Sequence, residues 1–178
     1  MASAYKLIAN YTVPSDTSSY TFSGIAATYK HLVLRCNDKS TRSDYGFDSV
    51  CVQVNGLTSG YTNWRGYTDN VSASPQTDSP AGGSATLSFT NSSTTGNVAN
   101  AYGASELYFY DYTNTGKYKA MMGWGGANNQ GTGIYCGIGV CASYNTLTSA
   151  INSIKIFMGS GGNIVAGSIY SLYGITNV

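Results

Sequence analysis

Tyr29-Lys30-His31-Leu32-Val33-Leu34-Arg35-Cys36-Asn37 and Asp48-Ser49-Val50-Cys51-Val52-Gln53-Val54-Asn55 are the two stretches that decide the fold class. In the first, Leu32, Leu34 and Cys36 fall on one side of an extended chain and His31, Val33 and Arg35 on the other. In the second, Val50, Val52 and Val54 oppose Cys51 and Gln53. Side chains alternate across a strand, so each pattern predicts a strand with one face in a core. Working outward, further β-rich runs lie near 5–13, 19–23, 84–90, 104–112, 117–124, 132–142, 151–158 and 164–175. None repeats its apolar residues at helical spacing. Asn55-Gly56 and Asn114-Thr115-Gly116 carry the chemistry of tight hairpin turns. About ten short strands without helices predict an all-β chain: a single antiparallel β-sandwich, jelly-roll-like. One domain over 1–178 is expected, with residues 1–4 as a short arm and 68–83 as an exposed loop.

Composition narrows the function. Nine Lys/Arg balance eight Asp/Glu to a net +1, and charged residues make up 10% of the chain, against about 25% in ordinary soluble domains. The polar surface must come from Ser, Thr, Asn and the hydroxyls of 16 tyrosines. The few cations are scattered, so the chain has no basic run to neutralise successive phosphates, and nucleic-acid binding is not expected. No apolar run reaches the roughly 18–20 residues a membrane-spanning helix needs. The N-terminal apolar stretch is interrupted at Asn10 and Thr12, unlike a secretory leader, so assembly in a cytosol is expected. Cys36, Cys51, Cys136 and Cys141 sit inside strand-like runs and read first as small buried hydrophobes, with disulfides as the alternative. They have no Cys-x-x-Cys spacing, and no second histidine is present, so a zinc site is not expected.

The catalytic inventory is short. His31, the only histidine, lies in a strand and reads as an outer-face or inter-subunit side chain; no Gly-x-Ser-x-Gly elbow accompanies it. Glycoside hydrolysis needs two carboxyls facing one sugar. Glu106 and Asp111 are an odd distance apart and fall on opposite faces, leaving Asp48 as a remote candidate partner. Asn37, Asp38, Asp44 and Asp48 supply hard oxygens around one loop but in no EF-hand spacing, and turn formation accounts for them. The glycines near 123–139 open no helix and make no phosphate loop. No catalytic residue, metal or cofactor is therefore expected. Tyr61, Asn63, Trp64, Arg65 and Tyr67, read as a loop, form the candidate contact site for a glycan or a protein. The alternative for Tyr61 and Trp64 is that they cap the core. Trp124, among glycines, reads as core packing. The glycosylation triplets at Asn10, Asn70 and Asn91 matter only in a eukaryotic secretory pathway.

Several motifs resemble a family of small β-sandwich virion proteins of tailed phages, of the kind found in cyanophages. Phe22-Ser23-Gly24-Ile25-Ala26-Ala27-Thr28-Tyr29 through Leu34 is similar to that family's opening, with Ala26 where proline is usual. Val52-Gln53-Val54-Asn55-Gly56 with Tyr61, then Glu106 to Tyr112 with Tyr118-Lys119, resemble two internal hairpins. The closing Ile169-Tyr170-Ser171-Leu172-Tyr173-Gly174-Ile175 is the most distinctive match. The resemblance implies a β-sandwich and a structural role in a virion assembled in the host cytoplasm, with no catalytic residue. The expected function is capsid decoration, cementing the major capsid protein or another virion protein as a free-standing homotrimer. The alternative is a tail-fibre or spike module that binds host surface glycan. An enzyme acting on polysaccharide ranks last and would depend on Glu106 or Asp48.

Overall fold

The computed structural model describes residues 5–44, 47–68, 76–78, 87–94, 100–127 and 137–176, with backbone alone at 47, 63–68, 76–78, 87–94 and 137–145. It contains β1 (Tyr5–Thr12), β2 (Ser19–Phe22), β3 (His31–Ser40), β4 (Phe47–Val54), β5 (Tyr61–Thr68), β6 (Gln76–Asp78), β7 (Leu87–Thr94), β8 (Gly103–Tyr110), β9 (Lys119–Ala127), β10 (Gly137–Asn145), β11 (Ile154–Met158) and β12 (Ile169–Ile175). Sheet A runs β1-β12-β3-β8-β9-β10-β5-β6 and sheet B runs β2-β11-β4-β7. Neighbours are antiparallel except at one place. The end of β3 leaves sheet A and pairs in parallel with β7, Lys39 with Ser93 and Ser40 with Thr94. The fold is thus the expected all-β sandwich.

Two strands escaped the sequence reading. The segment containing Trp64 is β5, not a loop; it pairs with β10 from Tyr61↔Asn145 to Thr68↔Ile138. Its mixture of Gly, Asn, Thr and aromatics lacks the apolar alternation that signals a strand, and hydrogen bonds from two neighbours supply what propensity does not. Within 68–83, Gln76–Asp78 is β6, paired with β5. Thr68 ends β5; the remainder of that expected loop, and the expected arm at 1–4, lie outside the described residues.

The inner faces follow the alternation. Leu32, Leu34, Cys36, Leu107, Phe109, Met121, Tyr170 and Leu172 from sheet A meet Phe22, Val50, Val52, Val54, Ile154, Ile156 and Met158 from sheet B. Burying each such side chain stabilises by roughly 1.5–3 kcal/mol before entropy is charged against it. The open side between β1 and β2 is closed by Tyr11 stacked on Tyr20, ring centroids 3.6 Å apart. One end is closed by Tyr61, fully buried, whose hydroxyl accepts from Val54 N at 2.8 Å and so joins β5 of sheet A to β4 of sheet B.

Turn chemistry held locally, but its topological meaning did not always follow. Asn55 (φ 51°) and Gly56 (φ 70°) make the expected tight turn, closed by Leu57 N to Val54 O at 3.0 Å. It is not a hairpin, because the strands it joins belong to different sheets. Asn55 Oδ1 instead accepts from Asn152 N and Ser153 N, and its Nδ2 donates to Ala150 O. The Asn114 turn does close a hairpin, β8 to β9, with Asn114 N bonded to Asp111 O and Asn114 Oδ1 accepting from Gly116 N. Gly174 has a different reason to be glycine: a Cβ there would lie 2.2 Å from Cγ of Tyr29, whose ring occupies the space.

Candidate functional site

The period that sends Leu107, Phe109 and Leu172 inward sends Glu106, Tyr108, Tyr110 and Tyr173 outward, onto the solvent side of sheet A. Pairing registers align them across five strands with Leu7 of β1, Val33 and Arg35 of β3, and Met122 and Trp124 of β9. Among the described residues the exposed large hydrophobics are Leu7, Tyr110, Tyr118, Met122, Trp124 and Ile169. All but Tyr118 project from this one face. Scattered single exposures are ordinary, whereas a one-sided collection marks an interaction surface.

These side chains are packed, not splayed. The Arg35 guanidinium lies over the rings of both Tyr5 (5.3 Å) and Tyr173 (5.1 Å), which meet edge-on and form a corner for the cation. Its Nε donates to Glu106 Oε2 in an ion pair. The Tyr5 and Tyr108 hydroxyls are 2.8 Å apart. The Tyr108 ring meets Trp124 at 5.2 Å and Tyr110 at 6.0 Å, and Tyr110 meets His31 edge-on at 5.7 Å. Beneath them Val33 is buried although it points outward. Desolvation first, then hydrogen bonds to Tyr5 and Glu106, push the Tyr108 hydroxyl far above its usual range. The hydrogen bond to Glu106 keeps Arg35 more firmly charged. The band therefore offers fixed donors, acceptors and ring faces.

One part of the face is concave. Ala104 pairs with Gly126 in the row beside Glu106↔Trp124, so no large side chain fills the space there. The result is an open depression of about 390 Å³ lined by Arg35, Cys36, Ala104, Ser105, Glu106 and Trp124.

The residues singled out from sequence fall differently. Tyr61 is a core residue and cannot touch a ligand from where it sits. Of Asn63, Trp64, Arg65 and Tyr67 only the backbone positions in β5 are described, and Trp64 is registered opposite Ala142. Trp124, expected in the core, is 43% exposed; the glycines around it line the inner face, where Gly123 packs on Leu107. His31 is a bystander whose Nδ1 accepts from Asp111 N at 3.0 Å.

Glu106 and Asp48 do not face one sugar. Glu106 is on the outside of sheet A, while Asp48 is buried in sheet B, where it accepts from Ser40 Oγ (2.6 Å), Ser49 N, Ser160 N and Ser160 Oγ. Asp111 lies in the turn after β8, paired with Lys30. The four oxygen residues considered for calcium are also separated. Asn37 Nδ2 donates to Gly103 O, Asp44 pairs with Arg42, and Asp38 is buried beside Tyr170. Among the described residues no three His, Cys, Asp or Glu gather. Cys36 and Cys51 are buried thiols on different sheets; Cys136 lies outside the described residues, and Cys141 is a β10 backbone position opposite Arg65. Asn10 Oδ1 accepts from Ser171 Oγ, Asn70 lies outside the described residues, and Asn91 is a β7 backbone position.

The aromatic band itself was missed. The signal for it was present in the phase of Tyr108, Tyr110 and Tyr173 against Leu107, Phe109 and Leu172, but both phases contain apolar residues and neither announces which one faces solvent. No protein-family model, curated protein or solved structure matches the chain.

Proposed function

We propose that the chain is a virion structural protein of a tailed phage, a capsid decoration protein that acts by adhesion. The observation that carries this reading is that, among the described residues, five of the six exposed large apolar side chains (Leu7, Ile169, Tyr110, Met122 and Trp124) belong to the outer face of sheet A, Tyr118 being the exception. That face is carried on hydrogen-bonded strands and braced by ring contacts, so little side-chain freedom is lost when a partner covers it. The carboxylates considered for hydrolysis are held apart, Glu106 and Asp111 in ion pairs and Asp48 by serine and backbone donors, which suits a static role. The resemblance of the opening Phe22–Leu34 and the closing Ile169–Ile175 segments to phage virion proteins supplies the setting.

Attachment to the major capsid protein would begin at the β1–β12 side of the face, where Leu7 is 53% and Ile169 38% exposed. The unit would be a homotrimer, its free energy coming from apolar and tyrosine burial at the centre of each contact. The test has two parts. Purified protein should run as a trimer in native mass measurement. Particles deprived of the protein should lose their genome at a lower temperature than complete ones, and refilling them with protein should restore the difference. Equal thermal survival with and without the protein sinks the cementing role.

A further inference from the structure

We propose that the depression beside Trp124 is a binding site for an uncharged sugar residue of an oligosaccharide. Trp124 belongs to the face proposed above for adhesion, but attachment there begins at Leu7 and Ile169 of β1 and β12, neither of which lines the depression, so either proposal can fail alone.

A pyranose has two kinds of surface. Its C–H faces are apolar and flat, and its rim carries hydroxyls that both donate and accept. A site for it needs an exposed aromatic plane, paired acceptors and donors at the edge of that plane, and a floor low enough to admit the ring. Trp124 supplies the plane; it is 43% exposed, and contact with Tyr108 at 5.2 Å fixes its indole. Glu106 supplies the acceptor: a carboxylate has about four lone-pair directions, of which Arg35 Nε and the Tyr108 hydroxyl use two. Arg35 supplies donors, its guanidinium positioned by the rings of Tyr5 and Tyr173. Ala104 and Ser105 supply the floor. The volume, about 390 Å³, lies within the roughly 300–1,000 Å³ of small-molecule sites.

Electrostatics select within the class. Arg35 and Glu106 cancel one another, and no other charged side chain lines the depression. An acidic sugar would have to compete with Glu106 for Arg35, so a neutral one is favoured. A protein side chain entering the same space is the competing occupant. It would cover Trp124 without needing an acceptor and a donor side by side at its edge, which is the feature that favours a polyol.

The experiment uses the full chain and three neutral trisaccharides, cellotriose, maltotriose and mannotriose, followed by the two indole N–H resonances in NMR. Trp124→Phe assigns the signals. At least one trisaccharide should shift the Trp124 resonance saturably, with a dissociation constant on the order of 1 mM, as expected for a shallow single-ring site. Trp124→Ala should abolish the response, and Glu106→Gln should weaken it about tenfold, each with the remaining spectrum that of a folded chain. Tyr118→Ala, in the β8–β9 hairpin, should leave it unchanged. Raising salt from about 0.15 M to 1 M should have little effect on a neutral ligand, whereas screening would weaken an anionic one. Three results overturn the proposal: no Trp124 shift with any of the three sugars, a shift confined to the Trp64 indole, or binding that survives Trp124→Ala.

Discussion

Replacing Gly174 by alanine tests whether the core is packed as described. The added Cβ would lie 2.2, 2.4 and 2.5 Å from three ring atoms of Tyr29, where ordinary contact begins near 3.4 Å. Subtraction (3.4 − 2.2) puts the required displacement at 1.2 Å or more for the whole ring. Tyr29 is hemmed in: its backbone N donates to the Tyr112 hydroxyl at 3.4 Å, which in turn donates to Ala26 O. With the backbone held there, the half-buried ring has to swing from its place to make room. Overpacking of this kind costs about 1–3 kcal/mol, and partial loss of the half-buried ring adds to it, so about 2–3 kcal/mol is expected. For a domain of this size that lowers the melting temperature by about 5–10 °C. Calorimetry with urea titration measures it. The decisive arm is a double-mutant cycle with Tyr29→Ala: once the ring is gone, Gly174→Ala should cost no more than about 0.5 kcal/mol further. A single Gly174→Ala variant as stable as the parent, or equal costs in both backgrounds, would refute the packing argument.

Three other perturbations have definite outcomes. Tyr61→Phe removes the acceptor for Val54 N between the two sheets and should cost about 1–3 kcal/mol in urea unfolding; an unchanged midpoint would mean that the link is not made. Asp48→Ala strips acceptors from Ser40, Ser49 and Ser160 and should cost about 3 kcal/mol, with Asp48→Asn losing less. Tyr61, Tyr112 and Tyr170 all have hydroxyls raised above the usual value of 10.0, chiefly by burial. Unfolded tyrosines lose their protons near that value while the native ones keep theirs, so the unfolded chain binds fewer protons and stability falls as pH rises above about 10. Below that pH their contribution is constant. Absorbance near 295 nm should show fewer than the full 16 tyrosines ionising until the chain unfolds; titration of all of them in folded protein would contradict the burial.

What the sequence revealed depended on whether polarity and direction coincided. In β3 and β4 the inward Leu32, Leu34, Val50, Val52 and Val54 alternate with neighbours that, Val33 apart, are not aliphatic, so alternation located both strand and core. In β5 the residues are polar, aromatic and glycine together, and only pairing with β10 makes that segment a strand. In β8, β9 and β12 both sides are apolar, Leu107 against Tyr108 and Met121 against Met122, so the strands were visible but their orientation was not. Trp124 was misplaced for that reason. Turn chemistry specified backbone shape and nothing more: Asn55-Gly56 reverses the chain whether or not the next strand is a neighbour. The closing Leu172-Tyr173-Gly174 and the earlier Thr28-Tyr29 were quoted as separate motifs, and contact between Tyr29 and Gly174 makes them one packing unit. No spacing rule connects residues so far apart.

The departure of β3 from one sheet to join the other has a mechanical meaning. Two sheets held only by apolar contact can slide, because oily surfaces resist separation far better than shear. Here a single run of backbone is clamped by hydrogen bonds in both layers, to β12 and β8 first and to β7 at its end. A sideways pull on the outer face of sheet A is therefore carried into sheet B along the peptide chain itself. In the adhesive role proposed above, that strand would be the tie rod.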